Sequence, residues 1–208
     1  SVFRTGHGND FEQGRMVSAN QAVLPYRERP AVENTLLEER LRTLLPRLME
    51  ESGIDMWLVI AREYAEDPVY FSLVPQPTFA ARRTTMLIFS RGADGFEMLS
   101  VNRYPLGEPF ANGWSGGNLD EQWQALADLI VEKNPQRIGI NVSKDWPVAD
   151  GLTHGLYERL IAALPESMHE RLVSAEALAV RWVETRSEAE ADLYAHVVSL
   201  ARQVIAEA

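Results

Sequence analysis

Apolar residues recur along this chain at two spacings, and the change from one to the other marks out its elements. Leu37, Leu41, Leu44, Leu45 and Leu48 fall three and four apart, which puts them on one face of a helix. Thr35 followed by Glu38 reads as a capping box at its start, and Gly53 as its stop. Pro46 lies inside and is expected to kink or divide the helix, because its ring clashes with the carbonyl of Arg42. Residues 56–61 are a short unbroken apolar run and read as a buried strand. A short helix is expected over 67–73, although Val69, Tyr70 and Phe71 also suit a strand. Residues 84–90 and 96–101 read as two strands joined through a turn at 92–95, a hairpin. The stretch 102–118, with Pro105, Pro109, Gly113, Gly116 and Gly117, reads as loop.

Asn118 with Glu121 forms a second capping box, and Trp123, Leu126, Ala127, Ile130 and Val131 line one side of the helix it opens. A strand follows at 137–142. Asp150 or Thr153 caps a helix whose seam is Leu152, Leu156, Leu160 and Leu164, stopped by Pro165. A short strand at 171–174 and a short helix at 175–182 complete the series. The order predicts one mixed β-sheet flanked by helices, an α/β fold. Ser187 with Glu190 forms a third capping box, and the helix after it carries two apolar sets. They are Ala191, Tyr194, Val198, Ala201 and Ile205, and Leu193, Val197, Leu200 and Val204. Together they cover about half of the circumference at 100° per residue, so part of this helix is expected to pack against something outside the chain.

Composition changes the picture mainly by exclusion. The 208 residues are 46% apolar and 24% charged, with no cysteine, which suits one soluble domain or two small ones and removes disulfides and thiolate chemistry. Twenty Lys+Arg face thirty Asp+Glu, a net charge of -10. The Arg82-Arg83 pair is the nearest thing to a basic stripe, so no nucleic-acid partner is expected. No apolar run approaches the ~20 residues of a membrane span, and a cytoplasmic location is expected, with an exported form left open.

Candidate chemistry is sparse. The four histidines, His7, His154, His169 and His196, form no His-x-x-x-His pair, and no metal site is expected here. Glu188, Glu190 and Asp192 read as first-turn acids facing unpaired amides. Ser115, within Gly113-Trp114-Ser115-Gly116-Gly117, lacks a nucleophile elbow and reads as a flexible turn. Trp57 and Trp123 read as core, and Trp146 and Trp182 as covers over helix ends. Trp114, in a glycine-rich loop, suits either local packing or an interface or site rim. Arg62, Glu63 and Tyr64 follow the first strand, where polar groups face clefts in α/β proteins; plain salt bridging is the alternative. Arg62, Tyr64 and Trp114 are the substrate-proximal candidates, and no catalytic residue is expected in the chain.

Four passages carry a resemblance. Gly53-Ile54-Asp55-Met56-Trp57-Leu58-Val59-Ile60, Arg82-Arg83-Thr84-Thr85-Met86-Leu87-Ile88-Phe89, Arg137-Ile138-Gly139-Ile140 and Val183-Glu184-Thr185-Arg186-Ser187-Glu188-Ala189-Glu190 resemble, in this order, the amino-terminal domain of the creatinase, prolidase and aminopeptidase P family. In the last passage Arg186 stands where that family usually has lysine. The resemblance implies a ribonuclease-H-like arrangement of the sheet. Gly6, Gly8, Gly14, Pro25 and Pro30 make 1–34 read as an irregular arm; the resemblance implies the domain at 35–185 and, at 186–208, a linker and first helix leading into a C-terminal catalytic domain beyond the chain. It further implies a homodimer and a cleft closed over that domain. The parent would hold two divalent metals, manganese commonly, and cut proline-containing peptides. A creatinase-like non-peptidase hydrolase, a free-standing small-molecule-binding module and a scaffold protein stay open as alternatives.

Overall fold

The computed structural model describes residues 23–92 and 95–207. His7, the first part of the expected arm and the centre of the 92–95 turn lie outside them. Two compact units are present, one of Glu33–Thr185 and one made of the described residues 23–32 and 186–207.

In the larger unit six strands form one sheet. They are β1 (Met56–Arg62), β2 (Thr84–Gly92), β3 (Gly95–Asn102), β4 (Ala111–Asn112), β5 (Ile138–Ile140) and β6 (Leu172–Ser174), ordered β4-β3-β2-β1-β5-β6. Only β2 runs against the rest: β1–β2 and β2–β3 are antiparallel, while β3–β4, β1–β5 and β5–β6 are parallel. The hairpin expected from the apolar runs is β2–β3. β4, inside the stretch read as loop, is too short to show any periodicity.

Alternation along β1 feeds two cores. Trp57, Val59 and Ala61 join one, with Leu87 and Phe89; Met56, Leu58 and Ile60 join the other, with Met86 and Ile88. A strand buried on both faces reads as a continuous apolar run rather than an alternating one. The first core is covered by a long helix and by α6 (Glu176–Glu184); the second by α3 (Leu119–Lys133) and α4 (His154–Ala163). In α3, Trp123, Leu126, Ala127 and Ile130 are buried, but Val131 is exposed, at the margin of the stripe. After Pro165 the chain makes one more helical turn, α5 (Glu166–His169).

The long helix starts earlier than the Thr35–Glu38 pattern predicts. It comprises α1 (Arg29–Glu39), a widened π segment (Arg40–Leu44) and α2 (Leu45–Glu51). The π segment answers Pro46: the Leu45 N–H donates to the carbonyl of Arg40, five residues back, and this local rearrangement lets the chain carry a proline in its interior. Arg40, buried at the widened turn, donates to the carbonyls of Trp182 (2.6 Å) and Thr185 (2.8 Å) and stacks on the Trp182 ring at 4.4 Å. It thereby satisfies the carboxyl end of α6. Trp182 is no helix-end cover: it is fully buried, with its indole N–H on Ser72 Oγ at 2.9 Å.

The expected helix at 67–73 is only a 3-10 turn, Tyr70–Ser72. Asp67 accepts the Val69 N–H through its own side chain (3.0 Å), a local bond that competes with helix.

In the smaller unit α7 (Glu188–Glu207) opens on the expected capping box. The Glu190 N–H donates to Ser187 Oγ (3.2 Å) and the Ser187 N–H to Glu190 Oε2 (2.8 Å). It has no buried residue, and Tyr194, Val197, Val204 and Ile205 are exposed. No helix among the described residues is long and apolar enough to cross a membrane.

Candidate functional site at the carboxyl edge of the sheet

Five of the six strands end at the same edge of the sheet, which is where α/β sheets present their ligand-binding crevices. The register brings separate sequence segments together there. Arg62, the last residue of β1, pairs with Thr84, the first of β2; Thr85 pairs with Asn102, so Arg103 lies one step beyond that pair. Arg82 and Arg83 immediately precede β2. With neighbouring strands ~4.8 Å apart, the ends of β1, β2 and β3 span about 10 Å. Four arginines therefore share this short edge. All four are exposed, and none makes an ion pair with another described residue.

Exposed aromatic rings flank the arginines. Tyr64 is 95% exposed and Phe79, in the loop leading into β2, 77%. The Arg82 guanidinium lies 4.4 Å from the centre of the Tyr104 ring. The backbone is strained at three of these positions, with φ of 69° at Tyr64, 33° at Arg82 and 65° at Arg83; left-handed backbone at a non-glycine residue costs roughly 1–2 kcal/mol. Glu63 ties the two segments together. Its N–H donates to the Arg83 carbonyl (2.9 Å), and its carboxylate accepts the Arg83 N–H (3.3 Å). That carboxylate holds main chain, and neither Glu63 nor Arg62 forms an ion pair among the described residues.

Of the three sequence candidates, Arg62 and Tyr64 lie at this edge beside each other. Trp114 follows β4, three strand spacings or about 14 Å from β1. It is half-buried against the α3–α4 core. Its loop is tied at both ends: Arg103 donates to the Gly117 carbonyl (2.9 Å), Gly113 donates to the Ser100 carbonyl (2.9 Å), and the Asn118–Glu121 capping box closes as expected. A Cβ at Gly113 would fall 2.9 Å from Leu129, which explains the glycine by packing. Trp114 is thus packed locally, with part of its ring still open to solvent. Trp146 is half exposed and lies on the β5–α4 connection.

A second polar cluster sits between β1 and β5, where the order of strands reverses. The Trp57 indole N–H donates to Asn141 Oδ1 (2.8 Å), and Asn141 Nδ2 donates to Asp67 Oδ2 (2.9 Å). Asp67 is 1% exposed. Burial pushes its carboxyl up to about 6 from an ordinary 3.8, against the lowering effect of the Val69 and Asn141 hydrogen bonds. Neither Asp67 nor Asn141 stands out in the sequence, since they lie 74 residues apart.

His154 and His169 serve other ends. His154 contacts Glu158 on the exposed face of α4 (3.3 Å), and His169 Nε2 lies within reach of the carbonyls of Ile161 and Leu164 (3.0 and 3.1 Å). Among the described residues no three His, Asp or Glu side chains gather as a metal ion requires. Chemically, exposed guanidinium groups can bind carboxylate or phosphate in paired hydrogen bonds, and rings beside them can supply stacking surface. Set against family models, curated proteins and solved structures, the chain gives no match.

Proposed function

We propose that this chain is the accessory, oligomerisation and cleft-forming domain of a larger hydrolase related to creatinase, prolidase and aminopeptidase P, and that the parent cuts Xaa-Pro peptide bonds. In this proposal the mixed sheet has the ribonuclease-H-like arrangement of that family's amino-terminal domain. The observation that carries the reading is the arginine edge. Four exposed guanidinium groups on a chain of net charge -10 suit recognition of an anionic group held by another body. The resemblance adds support, because its passages fall on successive junctions. Gly53–Ile60 spans the turn from α2 into β1, Arg82–Phe89 enters β2, Arg137–Ile140 opens β5, and Val183–Glu190 leads from α6 into α7.

The two divalent metals, manganese in the related peptidases, belong in this proposal to a catalytic domain beyond residue 208. The described residues do not fit such a group, since they gather no ligand set. What this chain contributes is binding: the arginines orient a carboxylate, and the exposed rings cover its apolar neighbour.

The test is hydrolysis of an Xaa-Pro peptide in manganese, run on the chain alone and on the chain joined to the segment that follows it in its natural coding sequence. The expected result is no hydrolysis by the chain alone and clear hydrolysis by the joined protein. Hydrolysis by the chain alone, or by neither, contradicts the proposal. The same arginine edge also favours a second reading, a free-standing module for an anionic small molecule. Saturable calorimetric binding by the chain alone, lost in Arg62→Ala, would support that reading instead.

A further inference from the structure

The geometry points to Asp67 as a proton-controlled latch that joins the segment after β1 to the segment after β5. The latch has a fixed direction. An indole N–H can only donate, so Asn141 must turn its oxygen to Trp57 and its NH₂ to Asp67. Asp67 must accept there, and it also accepts the Val69 N–H. The chain after β5 lies directly on the carboxyl group: a Cβ at Gly151 would fall 2.2 Å from Asp67 Cγ and 2.6 Å from Pro68 Cδ. The same segment is held to itself by the Leu152 N–H on the Asn141 carbonyl (2.9 Å) and the Ser143 N–H on Asp150 Oδ1 (3.1 Å).

The charged groups that neighbour Asp67 are acidic. From the β5 side the Asp150 carboxylate raises its pKa. On its own segment Glu66 is adjacent, with its carboxylate on the Ala81 N–H (3.2 Å). Glu176 of α6 approaches the same loop through Ser143. No Lys, Arg or His among the described residues forms an ion pair with Asp67. A buried carboxylate with two N–H donors and no counter-ion is costly to charge.

The sign follows from linkage. Closed, the carboxyl titrates at about 6; opened to water, at its ordinary 3.8. Between those values the closed form holds a proton that the open form has released, so closure weakens as pH rises through that window and is constant above it. The difference corresponds to roughly a hundredfold rise in the opening constant. At neutral pH the two segments therefore open far more readily than in mild acid. This inference is independent of the proposed enzyme context.

Amide hydrogen exchange at Val69 and Leu152, corrected for the intrinsic pH dependence of exchange, tests it. The opening constant is expected to rise about a hundredfold between pH 4 and pH 7 in the wild type and to be flat in Asp67→Asn. A flat wild-type profile, or a rise that persists in Asp67→Asn, overturns the latch. Because the amide introduced by Asp67→Asn would turn an N–H toward a donor and could prevent folding, Asp150→Asn is the second variant. It keeps the Ser143 bond and removes the neighbouring charge, so the midpoint is expected to move to lower pH. An unmoved midpoint overturns the electrostatic account.

Discussion

The two ends of this sheet are built on opposite terms. At the amino end of β1 and β5 every conspicuous residue is locked. Gly53, at φ 64°, ends α2 in a Schellman turn, with the Ile54 N–H on the Met49 carbonyl (2.9 Å) and the Gly53 N–H on the Glu50 carbonyl (3.0 Å). Asp55 then accepts the N–H groups of Gln136 and Arg137 (3.0 Å each), and Arg137 returns a bond to the Gly53 carbonyl (2.9 Å). At the carboxyl end Arg62, Tyr64, Arg82, Arg83 and Arg103 are exposed, strained at three of the nearby positions and without ion pairs among the described residues. The amino end is satisfied by the chain itself, whereas the carboxyl end, beyond the Arg103–Gly117 bond and the Arg82–Tyr104 stack, leaves charge and ring surface exposed. The Gly-hydrophobic-Asp step and the Arg-Ile-Gly strand, which stand out most in the sequence, are therefore structural signals.

The contrast can be broken first at Gly139. A Cβ there would lie 2.9 Å from Ile54 Cδ1 and 3.1 Å from the Ala175 Cβ. Gly139→Val is expected to cost about 3 kcal/mol by overpacking, read as a lower urea midpoint at unchanged m-value. Asp55→Ala comes next. It removes an acceptor of two N–H groups that stay partly open to water, so about 1–2 kcal/mol is expected from the same measurement. If either substitution is silent, the amino end is not the lock described here.

Legibility in the sequence followed locality. β1 and the centre of β2 are continuous apolar runs, β3 follows across a glycine-bounded turn, and the Asn118–Glu121 and Ser187–Glu190 boxes lie within one turn of the helices they cap; all could be read directly. The Thr35–Glu38 pattern misled, because the same four-residue pattern can occur inside a helix that has already begun at Arg29. The 67–73 helix failed because Asp67 and Pro68 impose a turn that apolar spacing does not register. The arginine edge was only half legible. Arg62 drew notice as a strand end, but Arg82, Arg83 and Arg103 join it only through the β1–β2–β3 register, which a sequence does not print. Trp114 drew notice for its glycines; Gly113 answers to packing against Leu129, Gly117 to the bound Glu121 cap, and Gly116 to its left-handed backbone.

The smallest expected effect on stability falls at the arginine edge, and the largest effect on recognition. Arg83→Ala should leave urea unfolding within about 0.5 kcal/mol of the wild type, as for an exposed side chain without an ion pair. In the joined protein that the proposed hydrolase requires, the same substitution should raise KM for a proline-containing peptide about tenfold or more with kcat nearly unchanged, the signature of a lost charge-assisted contact made equally in ground and transition states. An unchanged KM, or a loss of stability large enough to account for the defect, would contradict the assignment of this edge as the recognising surface.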